Sequence, residues 1–247
     1  MGRMTETIKV LLIINVLFFI GTQMLGDTAY RLFSLWFVEN ENFGVWQILT
    51  HMFMHGGFTH ILFNMYALWA FGSPIEHVLG QRQFIFFYFS AGIGAALIHT
   101  LVNYYHFESG YQALLNAGLD SQAIAEILET GRYNTQILSS VSADMLSDFY
   151  GSVNTPAVGA SGAIYGILVA FGMMFPNISL FLLFVPVPIK AKYFIPALIG
   201  IDLISGFTGY SLFGGGIAHF AHVGGALFGF IMMWYWKKNR FNSNRWD

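Results

Sequence analysis

Ser161 stands in the run Gly159-Ala160-Ser161-Gly162, at the head of an apolar stretch, and His222 stands in another such stretch. Ionisable and polar groups are costly in lipid, so a hydroxyl and an imidazole kept on two apolar spans point to a use for them. The use that fits is acyl transfer. A serine hydroxyl is a poor nucleophile until a neighbouring base takes its proton, and a near-neutral imidazole is the usual base. The oxyanion that forms next needs fixed donors. The Ser161 backbone N–H at a helix start, the His60 imidazole and the Asn64 amide are the candidates, and the helix dipole has the right sign.

The elements that must carry these groups are membrane spans. Of 247 residues, 55% are hydrophobic and only 10% charged, against about 25% charged in a soluble domain. A net charge of −2 gives no sign of a nucleic-acid partner, and the absence of cysteine excludes disulfides, zinc–thiolate sites and cysteine catalysis. Spans of about 20 apolar residues are predicted at 8–26, 57–73, 84–103, 160–176, 191–208 and 217–236. The first reads as a retained span, because no small-residue cleavage motif follows it. The predicted fold is therefore an all-α polytopic membrane protein with six transmembrane helices. Pro74, Gly80 and Arg82 are expected to separate the second span from the third, and 178–185 to form a membrane-surface turn.

Charge sets direction. With both termini inside, nine of the eleven basic residues (Arg3, Lys9, Arg82, Lys190, Lys192, Lys237, Lys238, Arg240 and Arg245) fall on the cytoplasmic side. The positive-inside rule thus selects N-in, C-in. The outer ends of spans two, four and six then converge, and these ends carry His51, His55, His60 and Asn64; Ser161 and Tyr165; and His219 and His222. Ser161 and Tyr165 are four apart and share a helix face. Gly162 and Gly166 beside that face, and Gly225 and Gly229 on the sixth span, let two backbones approach closely. Packing through these glycines would bring His222 to hydrogen-bonding range of Ser161.

At these residues the chain resembles the rhomboid intramembrane serine proteases. The Gly-x-Ser-Gly of the fourth span is matched by Gly159 to Gly162, and the histidine-rich second span by His51, His55, His60 and Asn64. The Ala-His-x-x-Gly of the sixth is matched by Ala221-His222-Val223-Gly224-Gly225. The resemblance implies a single membrane domain over 1–247 with a Ser161–His222 dyad and no third carboxylate. It also implies that His60 and Asn64 help form the oxyanion hole and that Tyr165 packs on His222. Its expected substrates are transmembrane proteins in the lipid bilayer, cleaved near the outer surface, with no metal or organic cofactor. Oligomeric state stays open. Two features depart from the pattern. Trp46-Gln47 replaces a frequent Trp-Arg in the loop after the first span, and an acidic segment at 104–158 is long for a six-span relative.

The remaining polar residues carry smaller expectations. The 27–56 segment, with Trp36, Phe37, Phe43 and Trp46, reads as a loop lying in the membrane interface. The 104–158 segment reads as an extracytoplasmic insertion of two short helices and a less regular stretch. Ser109 with Gln112 reads as a capping box there, and Gly118 and Gly131 as C-caps. Asp202, in the fifth span, lies toward the outer end and is expected to meet water rather than serve as a third catalytic member. Glu76 reads as an anchor of the cytoplasmic turn, His51 and His55 as loop anchors, and His77, His99 and His106 as interfacial, while His219 has no assigned role. A metal protein is the main rival, but no His-Glu-x-x-His occurs and His219 and His222 are only three apart. The short N-terminus fits a bacterial cytoplasmic (inner) membrane, with the active site open to the extracytoplasmic side.

Overall fold

The computed structural model describes residues 3–182, 185–211 and 217–239. Arg240 and Arg245, used above for orientation, lie outside the described residues. The helices are α1 (Glu6–Leu25), α2 (Asp27–Phe33), α3 (Gln47–Thr50), α4 (Phe58–Ala67), α5 (Ser73–Leu79), α6 (Gln81–Asn116), α7 (Ser121–Thr130), α8 (Ala143–Asn154), α9 (Ser161–Met174), α10 (Ala191–Thr208) and α11 (His219–Asn239). A two-stranded antiparallel hairpin, β1 (Ser179–Leu182) and β2 (Val185–Lys190), joins α9 to α10. It stands where a simple surface turn was expected. The chain is nearly all-α. Among the described residues three helices, α1, α6 and α10, are long and apolar enough to cross a membrane, and α9 is a shorter apolar helix.

The 57–73 segment becomes a longer helical run. α4 passes through a π-helical turn at Leu68–Gly72 directly into α5. Pro74 does not break the run, because it directly follows the π-helical turn, where the backbone has already left the regular i→i−4 ladder that a proline would interrupt. The break comes at Gly80, whose φ of +78° is open to glycine at little cost.

α9 is the hub. From Gly162 to Phe171 nearly every residue is buried, and its neighbours are α6, α11, α10 and the Leu68–Gly72 turn. The main core gathers Ile8 and Leu11 of α1, Phe84, Phe87 and Tyr88 of α6, and Ile164 and Ile167 of α9. The opposite side of α1 leaves Val10, Ile13, Leu17, Ile20 and Met24 exposed, a helical stripe suited to lipid. Glycines set the closest approach, as their spacing predicts. A Cβ on Gly225 would lie 1.9 Å from the Gly162 carbonyl oxygen, and one on Gly229 would lie 2.5 Å from the Gly166 Cα.

One local expectation on 104–158 changes. Ser109 caps nothing, because α6 runs unbroken from Gln81 to Asn116 and carries it mid-helix. Gly118 (φ +92°) follows the end of α6, and Gly131 (φ +68°) is the left-handed C-cap of α7. α7, α8 and the end of α6 enclose a second core of Leu114, Ile124, Ile127, Val141, Leu146 and Phe149. His106 sits 3.5 Å from Asp148.

Glu76 does more than hold a turn. Its carboxylate accepts hydrogen bonds from the hydroxyls of Thr5 and Thr7 and from the N–H groups of Thr7 and Ile8. It thereby satisfies the otherwise unpaired first turn of α1 from another helix. Glu76→Ala is expected to leave these donors buried and unpaired, lowering stability by roughly 3 kcal/mol. The thermal midpoint in micelles should fall by several degrees, with Glu76→Gln showing a smaller drop.

Candidate active site

Ser161 is the first residue of α9, and the chain reaches it through an extended segment pinned from two sides. Ala157 exchanges both backbone hydrogen bonds with Leu35 at 2.9 Å, and the Gly159 N–H donates to the His51 carbonyl at 2.9 Å. Gly159 adopts φ +126°, and a Cβ there would lie 2.8 Å from His60 Nε2. Only glycine fits this backbone and this closeness together. The same empty position lies 3.5 Å from Ser161 Oγ, so the His60 imidazole and the serine hydroxyl border one small space.

His222 comes from the first turn of α11. Its Nε2 is 2.8 Å from Ser161 Oγ. The Tyr165 ring stacks on the imidazole with centroids 4.2 Å apart and planes within 13°. Both members of the pair are part-exposed rather than sealed. Asn64 is buried, and its amide donates to the His60 carbonyl at 2.9 Å, which engages one of its two N–H groups.

The residue whose surroundings differ most from the expectation is Asp202. It is 3% exposed and not water-facing. Its Oδ1 accepts from His219 Nδ1 at 2.5 Å and lies 3.2 Å from His222 Nδ1, while Oδ2 accepts from the Tyr165 hydroxyl. A lone carboxylate in an apolar span was the signal for it. Position along the span misled, because the face of α10 that carries Asp202 packs here against α9 and α11. Asp202, His219 and His222 also have the composition of a metal site, with candidate ligand atoms within 4.8 Å of one another. The fit to an ion is poor. Tetrahedral zinc with bonds near 2.1 Å keeps its ligand atoms about 3.4 Å apart, whereas His219 and Asp202 already touch at 2.5 Å.

The loop that frames the site is organised by Gln47, the residue that departs from Trp-Arg. Its buried amide donates to the carbonyls of Arg31 and Asn42 and accepts from the Trp36 N–H. A neutral amide thus ties three turns of the 27–56 segment together. Phe37 of that segment is buried and packs against Phe107 rather than facing lipid, whereas Trp46 is half exposed.

His51 and His55, just ahead of α4, are buried, and burial pushes each imidazole down to about 4. The Gln47 carbonyl, accepting from His51 Nδ1 at 2.8 Å, opposes this only in part. Folded, the pair stays neutral; unfolded, each takes up a proton below about 6.5. Their stabilising contribution is therefore complete above pH 6.5, declines as pH falls toward 4, and then levels off. His51 alone accounts for about 3 kcal/mol across that window. The thermal midpoint should fall between pH 7 and 4.5, less steeply in His51→Gln.

A family model described as the rhomboid domain matches residues 42–239. The presenilin-associated rhomboid-like proteins, mitochondrial, of Bos taurus and Homo sapiens are each 31% identical over 189 residues, 76% of this chain and 36% of the relative. Rhomboid protein 1, mitochondrial, of Saccharomyces cerevisiae is 27% identical over 191 residues, 77% of this chain and 42% of the relative. The chain spans roughly two fifths or less of the length of these relatives. Their names place them in mitochondria and lend no support to a bacterial inner membrane. With its rhomboid domain, its apolar helices and a site built at the head of α9, the chain belongs to the rhomboid family of membrane proteins, which are generally intramembrane serine proteases.

Proposed function

We propose that the chain is an intramembrane serine endopeptidase that hydrolyses peptide bonds in or near the transmembrane segments of membrane proteins. The observation that carries this reading is the 2.8 Å contact of Ser161 Oγ with His222 Nε2 at a helix N-terminus. Ser161 Oγ attacks the scissile carbonyl carbon while His222 Nε2 takes its proton. The oxyanion faces the first-turn N–H groups of α9, the His60 imidazole and the remaining Asn64 N–H. Collapse breaks the C–N bond as His222 returns the proton to the leaving amine. Water activated by the same imidazole then releases the acyl group from Ser161.

Depth supports this reading. Fourteen residues of α9 rise about 21 Å, short of a hydrocarbon layer of about 30 Å. Ser161 therefore lies below one surface when Met174 reaches the other, within reach of a substrate helix that has partly unwound. In the proposed topology six spans run N-in, C-in, with 104–158 as an insertion outside the membrane on the side where the site opens. The start of α1 and the end of α5, joined through Glu76, share the opposite side.

The test is cleavage of a reporter transmembrane helix by purified protein in micelles, wild type beside Ser161→Ala and His222→Ala. Cleavage lost in both variants and unaffected by a chelator supports the proposal. Equal cleavage by all three removes it.

A further inference from the structure

An ionised carboxylate within an apolar span is expensive unless donors surround it. Among the described residues no lysine or arginine pairs with Asp202. Among these residues its partners are Tyr165 from α9 and His219 and His222 from α11. Such a costly arrangement is explained if the carboxylate acts on the base. Resting on the hydrolase reading above, we propose that Asp202 is the positioning residue of His222, fixing its tautomer and ring orientation for Ser161.

The chemistry follows from the two ring nitrogens. Facing a carboxylate oxygen at 3.2 Å, His222 Nδ1 carries the proton and donates it. Nε2 then keeps its lone pair and accepts from the Ser161 hydroxyl at 2.8 Å. In the opposite tautomer Nε2 would carry hydrogen and could take no proton. When the serine proton arrives, the ring becomes imidazolium, and the nearby carboxylate stabilises that charge without itself being protonated. Tyr165 serves the arrangement twice. Its ring stacks on His222, and its hydroxyl holds the second carboxylate oxygen. Because Asp202 is carried by α10, the docking of α10 against α9 and α11 completes the base. Displacement of that helix would separate carboxylate from imidazole.

Asp202→Asn in the full chain tests this, with reporter cleavage read as kcat and KM beside the thermal midpoint. The expected result is a kcat lower by 10²- to 10⁴-fold, a KM within about threefold and a midpoint within a few degrees. Asp202→Glu, which keeps the charge, should retain at least about tenfold more kcat than the asparagine variant. A kcat for Asp202→Asn within about threefold of wild type overturns the proposal. Equal kcat losses in both variants that track a lowered midpoint overturn it as well, because they describe a structural role. If Ser161→Ala cleaves normally, the hydrolase reading itself falls. If Ser161→Ala is inactive and Asp202→Asn is not, only the positioning role falls.

Discussion

Ser161→Ala is expected to lower kcat for reporter cleavage by about 10⁴- to 10⁶-fold, and His222→Ala by a comparable factor. The two residues form one device, so their losses should not multiply. A base without a nucleophile has nothing to deprotonate, and a nucleophile without a base stays protonated. The double variant should therefore be about as slow as either single one. Binding should survive, because neither side chain is large and the first-turn N–H groups of α9 remain in place. A bound but uncleaved reporter, recovered with Ser161→Ala and absent with a scrambled helix, would separate loss of chemistry from loss of fold. A double variant whose loss equals the product of the two single losses would show two independent devices instead.

The residues of this pair were legible in the sequence because lipid makes polar groups conspicuous. Ser161, His60, Asn64 and His222 stand out among apolar neighbours, and the orientation of the spans brings their ends together without knowledge of any contact. The glycine stripes were legible for the same reason, as small residues at helical spacing have few other uses in a span. Asp202 was equally conspicuous, but its burial was not foreseen. Its depth in the span was visible, whereas the helices that cover it were not. A single sequence shows which groups are polar, not which of them face one another across three helices.

Boundaries failed where tertiary contacts overrode local signals. Pro74 looked like a stop, but the π turn before it delivers the chain already helical. Ser109 looked like a cap, but α6 passes straight through it. A Cβ on Gly110, the next residue, would lie 2.6 Å from the Phe149 Cβ, so α8 packs closely on the far end of α6 and holds it by tertiary contact rather than by propensity. Gln47 shows the same limit from the other side. Its substitution for an arginine was visible, while its three-way hydrogen bonding depended on a loop shape no pattern revealed.

Gly225→Ala should be the most damaging of the small packing changes. The new Cβ would lie 1.9 Å from the Gly162 carbonyl oxygen and 2.6 Å from its carbon. Both atoms are backbone, so no rotamer change relieves the contact, and α9 and α11 must move apart by an ångström or more. Overpacking of this kind costs about 1–3 kcal/mol, but the larger effect falls on the chemistry. Gly225 lies one helical turn from His222, and Gly162 is next to Ser161. Separating the two backbones here lengthens the 2.8 Å contact itself. A misplacement of about 1 Å costs roughly 10²-fold in rate, so kcat should fall about a hundredfold while KM changes little. Gly21→Ala is the matched control. A Cβ there meets nothing within 4 Å, and α1 should gain slightly from the better helix former. If Gly225→Ala kept wild-type kcat and melting temperature, α9 and α11 could not be held this closely, and the short path from serine to imidazole would have to be set by other contacts.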